Sequence, residues 1–167
     1  MASHVPHPGD RVILLCGPAG SGKSTVARSC RDAGYEVLSF DEEAWQRGHT
    51  SHPVPEEVAQ AIHRDLQSRL LSLVAAGESV VVDTSFWSRR SRDDYRDSLS
   101  GTGIVPVVYY LDTPRSVVLE RLSRRRGDGP HDVVVPPDRA ASYVDGFQVP
   151  TPAEGPLRVV DGEAVRF

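Results

Sequence analysis

Gly17-Pro18-Ala19-Gly20-Ser21-Gly22-Lys23-Ser24-Thr25 follows the apolar run Val12-Ile13-Leu14-Leu15-Cys16 and opens a stretch of helical character. The spacing G-x-x-x-x-G-K-[ST] from Gly17 to Ser24 has a physical reason at each position. Glycines at 17, 20 and 22 admit backbone conformations closed to other residues and let main-chain amides approach an anion. Those amides, with the N-terminus of the helix that starts near Lys23, make a cradle for phosphate. Pro18, Ala19, Ser21 and Thr25 complete the loop around it. Lys23 is spaced to reach the β- and γ-phosphates, and the Ser24 hydroxyl to coordinate magnesium. A strand before and a helix after distinguish this loop from a glycine-rich turn with no ligand. The expected ligand is ATP with Mg2+, since no N-K-x-D guanine-reading pattern follows the fourth predicted strand.

Outward from this loop the chain alternates short β-rich runs with helices, the pattern of a parallel sheet covered by helices. Strands are predicted at Arg11 to Cys16, Glu36 to Phe40, Ser79 to Asp83, Ile104 to Leu111 and Leu157 to Val160. A first helix runs from Lys23 to Ala33 and stops at Gly34. Pro55-Glu56-Glu57 opens a long helix, with Val58, Ile62, Leu66, Leu70 and Leu73 on one face. Ser88 to Leu99 reads as a polar helix. A helix from Thr113-Pro114 runs into Arg124-Arg125-Arg126 and breaks at Gly127. Pro136-Pro137 begin another, to about Phe147.

Two acids end apolar strands: Asp41 after Val37-Leu38-Ser39-Phe40, and Asp83 after Val80-Val81-Val82. In an open parallel sheet the carboxyl ends of the strands border the ligand crevice, so both acids are expected to face the phosphates. Either one alone also suits a capping role. Phosphoryl transfer needs one acid to help hold magnesium and another to accept the proton of the attacking hydroxyl. Asp41 is assigned as the base and Asp83 as the magnesium-linked acid, with the reverse left open. Arg121, Arg124, Arg125 and Arg126 precede Gly127-Asp128-Gly129, which suits a lid from about 121 to 136 closing over a triphosphate. Arg121 and Arg125 are assigned to catalysis and Arg124 to nucleotide binding. A solvated helix end complementing the dipole is the plainer reading of the same cluster. Arg89, Arg90, Arg92 and Arg96, among Asp93, Asp94 and Asp97, read mostly as an exposed face laced with ion pairs, one or two reaching an acceptor.

The chain has 167 residues, the size of one domain, with a net charge of −4 that argues against bulk binding of a polyanion. No apolar run is long enough for a membrane span, and the N-terminus lacks a signal peptide's apolar stretch; the expected compartment is the cytoplasm. Cys16 and Cys30 read as small packing residues. The six histidines lack metal-ligand spacing, and none receives a role.

GPAGSGKST, SFD, AAGESVVVDTSFWSRRSRDDYRDSL and VVYYLDTPRSVVLERLSRR together resemble the small P-loop kinases of the polynucleotide kinase, zeta toxin and chloramphenicol phosphotransferase group. They are also similar to short bacterial AAA-type ATP-binding proteins. The resemblance reaches from the first strand to about YVDGFQVPTPAEG. It implies a three-layer α/β P-loop fold with a five-stranded parallel sheet ordered 2-3-1-4-5, an acid after the second strand as base, matching Asp41, and lid arginines between Arg121 and Arg126. Polynucleotide kinases usually carry an arginine three residues after that acid. Here that residue is Ala44 and the nearest arginine is Arg47, which disfavours a nucleic-acid acceptor. The function expected is transfer of the γ-phosphate of ATP to a hydroxyl of a small molecule. The alternatives are a polynucleotide or tRNA kinase, and an ATP-dependent switch that phosphorylates nothing. Trp45, Phe86 and Trp87 are candidates to wall the acceptor pocket, or else to pack against helices. Monomer and homodimer are both compatible with the sequence.

Overall fold

A run of five apolar residues cannot be satisfied at a sheet edge, and Val12–Cys16 (β1) lies at the centre of the sheet with every residue buried. In the computed structural model, which describes residues 6–165, five parallel strands are ordered β2-β3-β1-β4-β5. The other four are Glu36–Ser39 (β2), Val80–Asp83 (β3), Val107–Asp112 (β4) and Leu157–Asp161 (β5). The order is the one the resemblance implies.

Helices cover both faces: Lys23–Asp32 (α1), Phe40–Gln46 (α2), Glu56–Ala75 (α3), Arg89–Ser98 (α4), Arg115–Ser123 (α5) and Pro137–Asp145 (α6). Alternate residues of β1 feed opposite cores. Val12, Leu14 and Cys16 pack with Ile62, Leu66 and Leu70 of α3. Ile13 and Leu15 pack with Val26 and Cys30 of α1. Both cysteines are buried, and burial pushes each thiol up to about 11, as packing residues require. No helix among the described residues is long and apolar enough to cross a membrane.

Several boundaries differ from the sequence expectation, among them the start of β4 at Val107 rather than Ile104, and two of them bear on the site. Phe40 does not extend β2; with Asp41 it forms the first turn of α2. The Ser39 hydroxyl accepts a hydrogen bond from the Glu42 amide at 3.2 Å, and Asp41, Glu42 and Glu43 complement the positive helix end. The helix expected to run through the arginine cluster ends earlier, with Arg124 as its C-cap and 124–136 as an irregular segment. That segment is held by local hydrogen bonds, among them Gly127 N to Asp132 O at 2.8 Å and Arg126 N to Asp132 Oδ2 at 3.1 Å.

Candidate active site

The loop after β1 is shaped by its glycines. Gly20 and Gly22 have φ of +87° and +110°, where a side chain is strained. A Cβ at Gly20 would also lie 3.0 Å from Leu122, and one at Gly17 would strike the Ser21 hydroxyl. The loop therefore presents main chain rather than side chains to the cavity beside it. The Gly17 amide is tied to Ser85 O at 3.0 Å, which fixes the loop against the segment following β3. The Lys23 ammonium folds back over the loop to the Pro18 carbonyl at 3.3 Å. The Ser21 and Thr25 hydroxyls are buried without a partner among the described residues. A shaped backbone concavity with a lysine across it and spare hydroxyls beneath fits a phosphate chain.

The cavity over this loop has a volume of about 670 Å³. Gly20, Gly22, Lys23 and Ser24 form one side, Arg121, Arg124 and Arg125 another, and Asp41 and Asp83 a third. The sequence-assigned residues of the two strand ends, the loop and the arginine cluster thus converge on one space. Their settings differ. Asp83, 4% exposed, sits at the end of β3 in register with Leu15 and Ser39. Burial lifts its carboxyl to about 6, against the pull of Lys23 and with the help of the neighbouring Asp41 charge.

The three arginines separate sharply. Arg121 staples the loop to the C-terminal segment, donating to Gly20 O at 3.3 Å, Gly162 O at 2.9 Å and Val165 O at 3.1 Å. Arg124 borders the cavity with a largely exposed side chain and pairs with Glu120 one helical turn back. Arg125 turns inward, donating to Val133 O at 3.3 Å. Burial lowers its pKa, opposed by Asp41 and Asp132. A residue given no role from sequence joins them: His131 lines this cavity and shares a 3.0 Å hydrogen bond with Glu42 of α2, bridging the 124–136 segment to the turn that carries Asp41.

A second cavity, about 480 Å³, opens on the other side of Asp41. Asp41, Lys23 and Ala19 line both cavities, whereas Asp83 lines only the one over the loop. Phe86 and Trp87 wall this second space, as the sequence suggested; Trp45 does not. His52 and His63 wall it as well, and neither was legible from metal-ligand spacing. The His63 ring lies tilted by 34° against Phe40, with centroids 5.0 Å apart, and shares a 2.9 Å hydrogen bond with Tyr95 OH. Burial lowers the pKa of both histidines.

The reading of α4 as mostly an exposed, ion-paired face holds for Arg89 and Arg90, which are exposed with Arg89 paired to Asp93, but not for Arg92. Arg92 is 0% exposed. It makes paired contacts with Glu154 at 2.9 and 3.0 Å and donates to Phe86 O and Gln148 O, each at 2.9 Å. Arg96 joins Asp93 and the same Glu154. Neither guanidinium lines the second cavity; Arg92 instead ties the wall at Phe86, whose φ is an unusual +48°, to the chain at 148–154. Arg47 is likewise engaged outside the cavity, with Glu43 and Asp65, and Ala44 is buried in the core.

Glu154 carries a pH signature. Burial alone would raise its carboxyl, but hydrogen bonds from Arg92, the Thr151 amide and Arg96 outweigh this and hold it at about 2, below the ordinary 4.5. A depressed folded-state value stabilises the fold above the unfolded value and loses that contribution as pH falls from 4.5 towards 2. Chemical denaturation between pH 5 and pH 2 is expected to show this loss, and Glu154→Gln to flatten it. An unchanged pH slope in that variant would contradict the assignment.

Comparison with known proteins decides the kinship. The family described as AAA domain matches residues 12–150. The chain belongs to this family. It is a member of the small P-loop kinases. Shikimate kinase 1 of Pectobacterium atrosepticum is 30% identical over 129 residues, covering 76% of this chain and 72% of that one. Cytidylate kinase of Natronomonas pharaonis is 30% identical over 123 residues, covering 68% of this chain. The chain spans 58% of the length of that cytidylate kinase. Among solved structures, an unliganded sugar kinase from Janibacter sp. HTCC2649 superposes with a TM-score of 0.66 at 25% identity, covering 92% of this chain and 86% of that one.

Proposed function

We propose that this chain transfers the γ-phosphoryl group of ATP to a hydroxyl of a small-molecule acceptor. One observation carries the reading: Asp41 and Lys23 line both the cavity over the phosphate loop and the cavity beside it. A donor in one and an acceptor in the other would meet at that boundary, the placement that phosphoryl transfer needs. The comparisons support a kinase; the acceptor, ATP and Mg2+, and each residue's role are inferences from the site.

Bound Mg-ATP would supply the phosphoryl group and the electrophilic phosphorus. Main-chain amides between residues 19 and 24, with Lys23, bind the triphosphate. Asp41 takes the proton of the acceptor hydroxyl at a carboxylate oxygen as the new O–P bond forms and the bond to the β–γ bridging oxygen breaks. Arg125, inward-facing and close enough to feel Asp41, balances charge that spreads over the transferring group, while Arg121 holds the loop to which it donates. Arg124 approaches the nucleotide only if it leaves Glu120. Ser24 and Asp83 are the residues that would hold magnesium. No group of three or more His, Cys, Asp or Glu able to hold a metal exists among the described residues. The segment 124–136, with the end of α5 from Arg121, acts as the lid.

The two acids are separable by calorimetry of nucleotide binding with and without magnesium. Asp83→Asn is expected to weaken magnesium-dependent binding by about 10–100-fold. Asp41→Asn should leave it near the wild-type value. The reverse outcome exchanges their roles.

A further inference from the structure

The second cavity constrains what can occupy it. Its walls are ring-rich: Phe40, His63, Phe86, Trp87, Tyr143 and Phe147 all line it. Trp87 is 55% exposed at this cavity although its neighbour Phe86 is buried. A large indole face left in solvent beside a concave apolar wall is a surface on which a planar ring can stack.

Charge is the second constraint. Among the described residues lining the cavity, Lys23 is the only lysine or arginine, and it sits on the phosphate side. Of the α4 arginines, Arg92 is committed to Glu154, Phe86 O and Gln148 O and Arg96 to Asp93 and Glu154, while Arg89, paired with Asp93, and Arg90 are exposed and do not line the cavity. Arg47 is paired outside with Glu43 and Asp65, and Arg139 stands exposed on α6, outside the lining. The two histidines on the wall are kept towards the neutral form by burial. The one carboxylate on the wall, Asp41, repels an anion. A carboxylate or phosphate carried into this space would lose water and find no cation on the wall except Lys23 at the phosphate side, with Arg125 and Arg139 felt only at the His52 edge, which is costly.

We infer that the acceptor is an uncharged alcohol bearing a planar ring that stacks on Trp87, and not a carboxylate- or phosphate-bearing metabolite or a nucleic-acid end. This rests on the kinase reading for the word acceptor, but the pocket's preference can be measured without turnover. The chain holds two tryptophans, so a Trp45→Phe background leaves Trp87 as the reporter. In it, fluorescence titrations compare matched pairs differing by one carboxylate: uridine against orotidine, and 1-phenylethane-1,2-diol against mandelate. Calorimetry on Trp87→Ala repeats the tighter of each pair.

The expected result is quenching by the uncharged member with at least tenfold tighter binding than its carboxylate partner, and loss of that binding in Trp87→Ala. Equal or tighter binding of the carboxylates, no binding of either uncharged ring, or binding indifferent to Trp87→Ala overturns the inference. Adding γ-labelled ATP separates this from the kinase reading. Preferential binding without label transfer leaves the pocket assignment standing and counts against phosphoryl transfer to that class. Label moving to orotidine or mandelate in preference to their partners keeps the kinase and removes the inference.

Discussion

Asp41→Asn is expected to lower kcat by about 10²–10⁴-fold, the usual contribution of a positioned general base, with little change in nucleotide affinity. The asparagine keeps the shape and the helix-capping geometry, because Ser39 rather than Asp41 caps α2. What it removes is the carboxylate at the boundary between the two cavities. Asp83 cannot replace it, since it borders only the phosphate side, and its raised value of about 6 follows from burial with a like charge nearby. Pre-steady-state and steady-state kinetics on the variant check the result. A kcat within a few-fold of wild type would move the base elsewhere.

Arg92→Ala is expected to destabilise the fold by about 3–5 kcal/mol, because it strands a buried carboxylate without its partner. Glu154 would keep only Arg96 and the Thr151 amide, and the carbonyls of Phe86 and Gln148 would each lose a charged donor. The loss should also loosen the acceptor side selectively, since those carbonyls belong to the segments that shape its wall. Urea denaturation checks the first effect. For the second, Arg92→Lys, which keeps a charge but not the paired geometry, should raise the acceptor KM more than the ATP KM. A change of under 1 kcal/mol in the alanine variant would contradict the buried pair as described.

The parts of this architecture that were legible in the sequence are those fixed by local chemistry. Gly20 and Gly22 announce left-handed backbone, Lys23 and Ser24 follow at the spacing a phosphate needs, and an apolar run ending in Asp83 leads a carboxylate to the crevice. The sheet order came from resemblance and is the one observed. The start of α2 was missed, although Ser39 with Glu42 three residues on is a helix-start signal; the apolar run into Phe40 masked it. Arg92 could not be told from Arg89 or Arg90 by composition, because its burial depends on Glu154, 62 residues away. Arg124 and Arg125 are adjacent in sequence and look alike, yet at the helix end the first pairs with Glu120 on the surface and the second donates to Val133 O. The histidines of the acceptor wall carry no spacing signal, because they come from the turn after α2 and from α3 and meet only in the folded chain.

The most direct test of phosphoryl transfer follows the label of γ-labelled ATP through a single turnover, with magnesium, in the wild type and in Lys23→Ala. The panel holds uncharged ring-bearing alcohols, sugar acids and oligonucleotides with a free 5′-hydroxyl. The label should appear in ester linkage to a hydroxyl of a small molecule in the wild type and in no product of the Lys23→Ala protein. Label released solely as inorganic phosphate by the wild type, whatever alcohol is present, would contradict a kinase and leave a nucleotide-hydrolysing protein in its place.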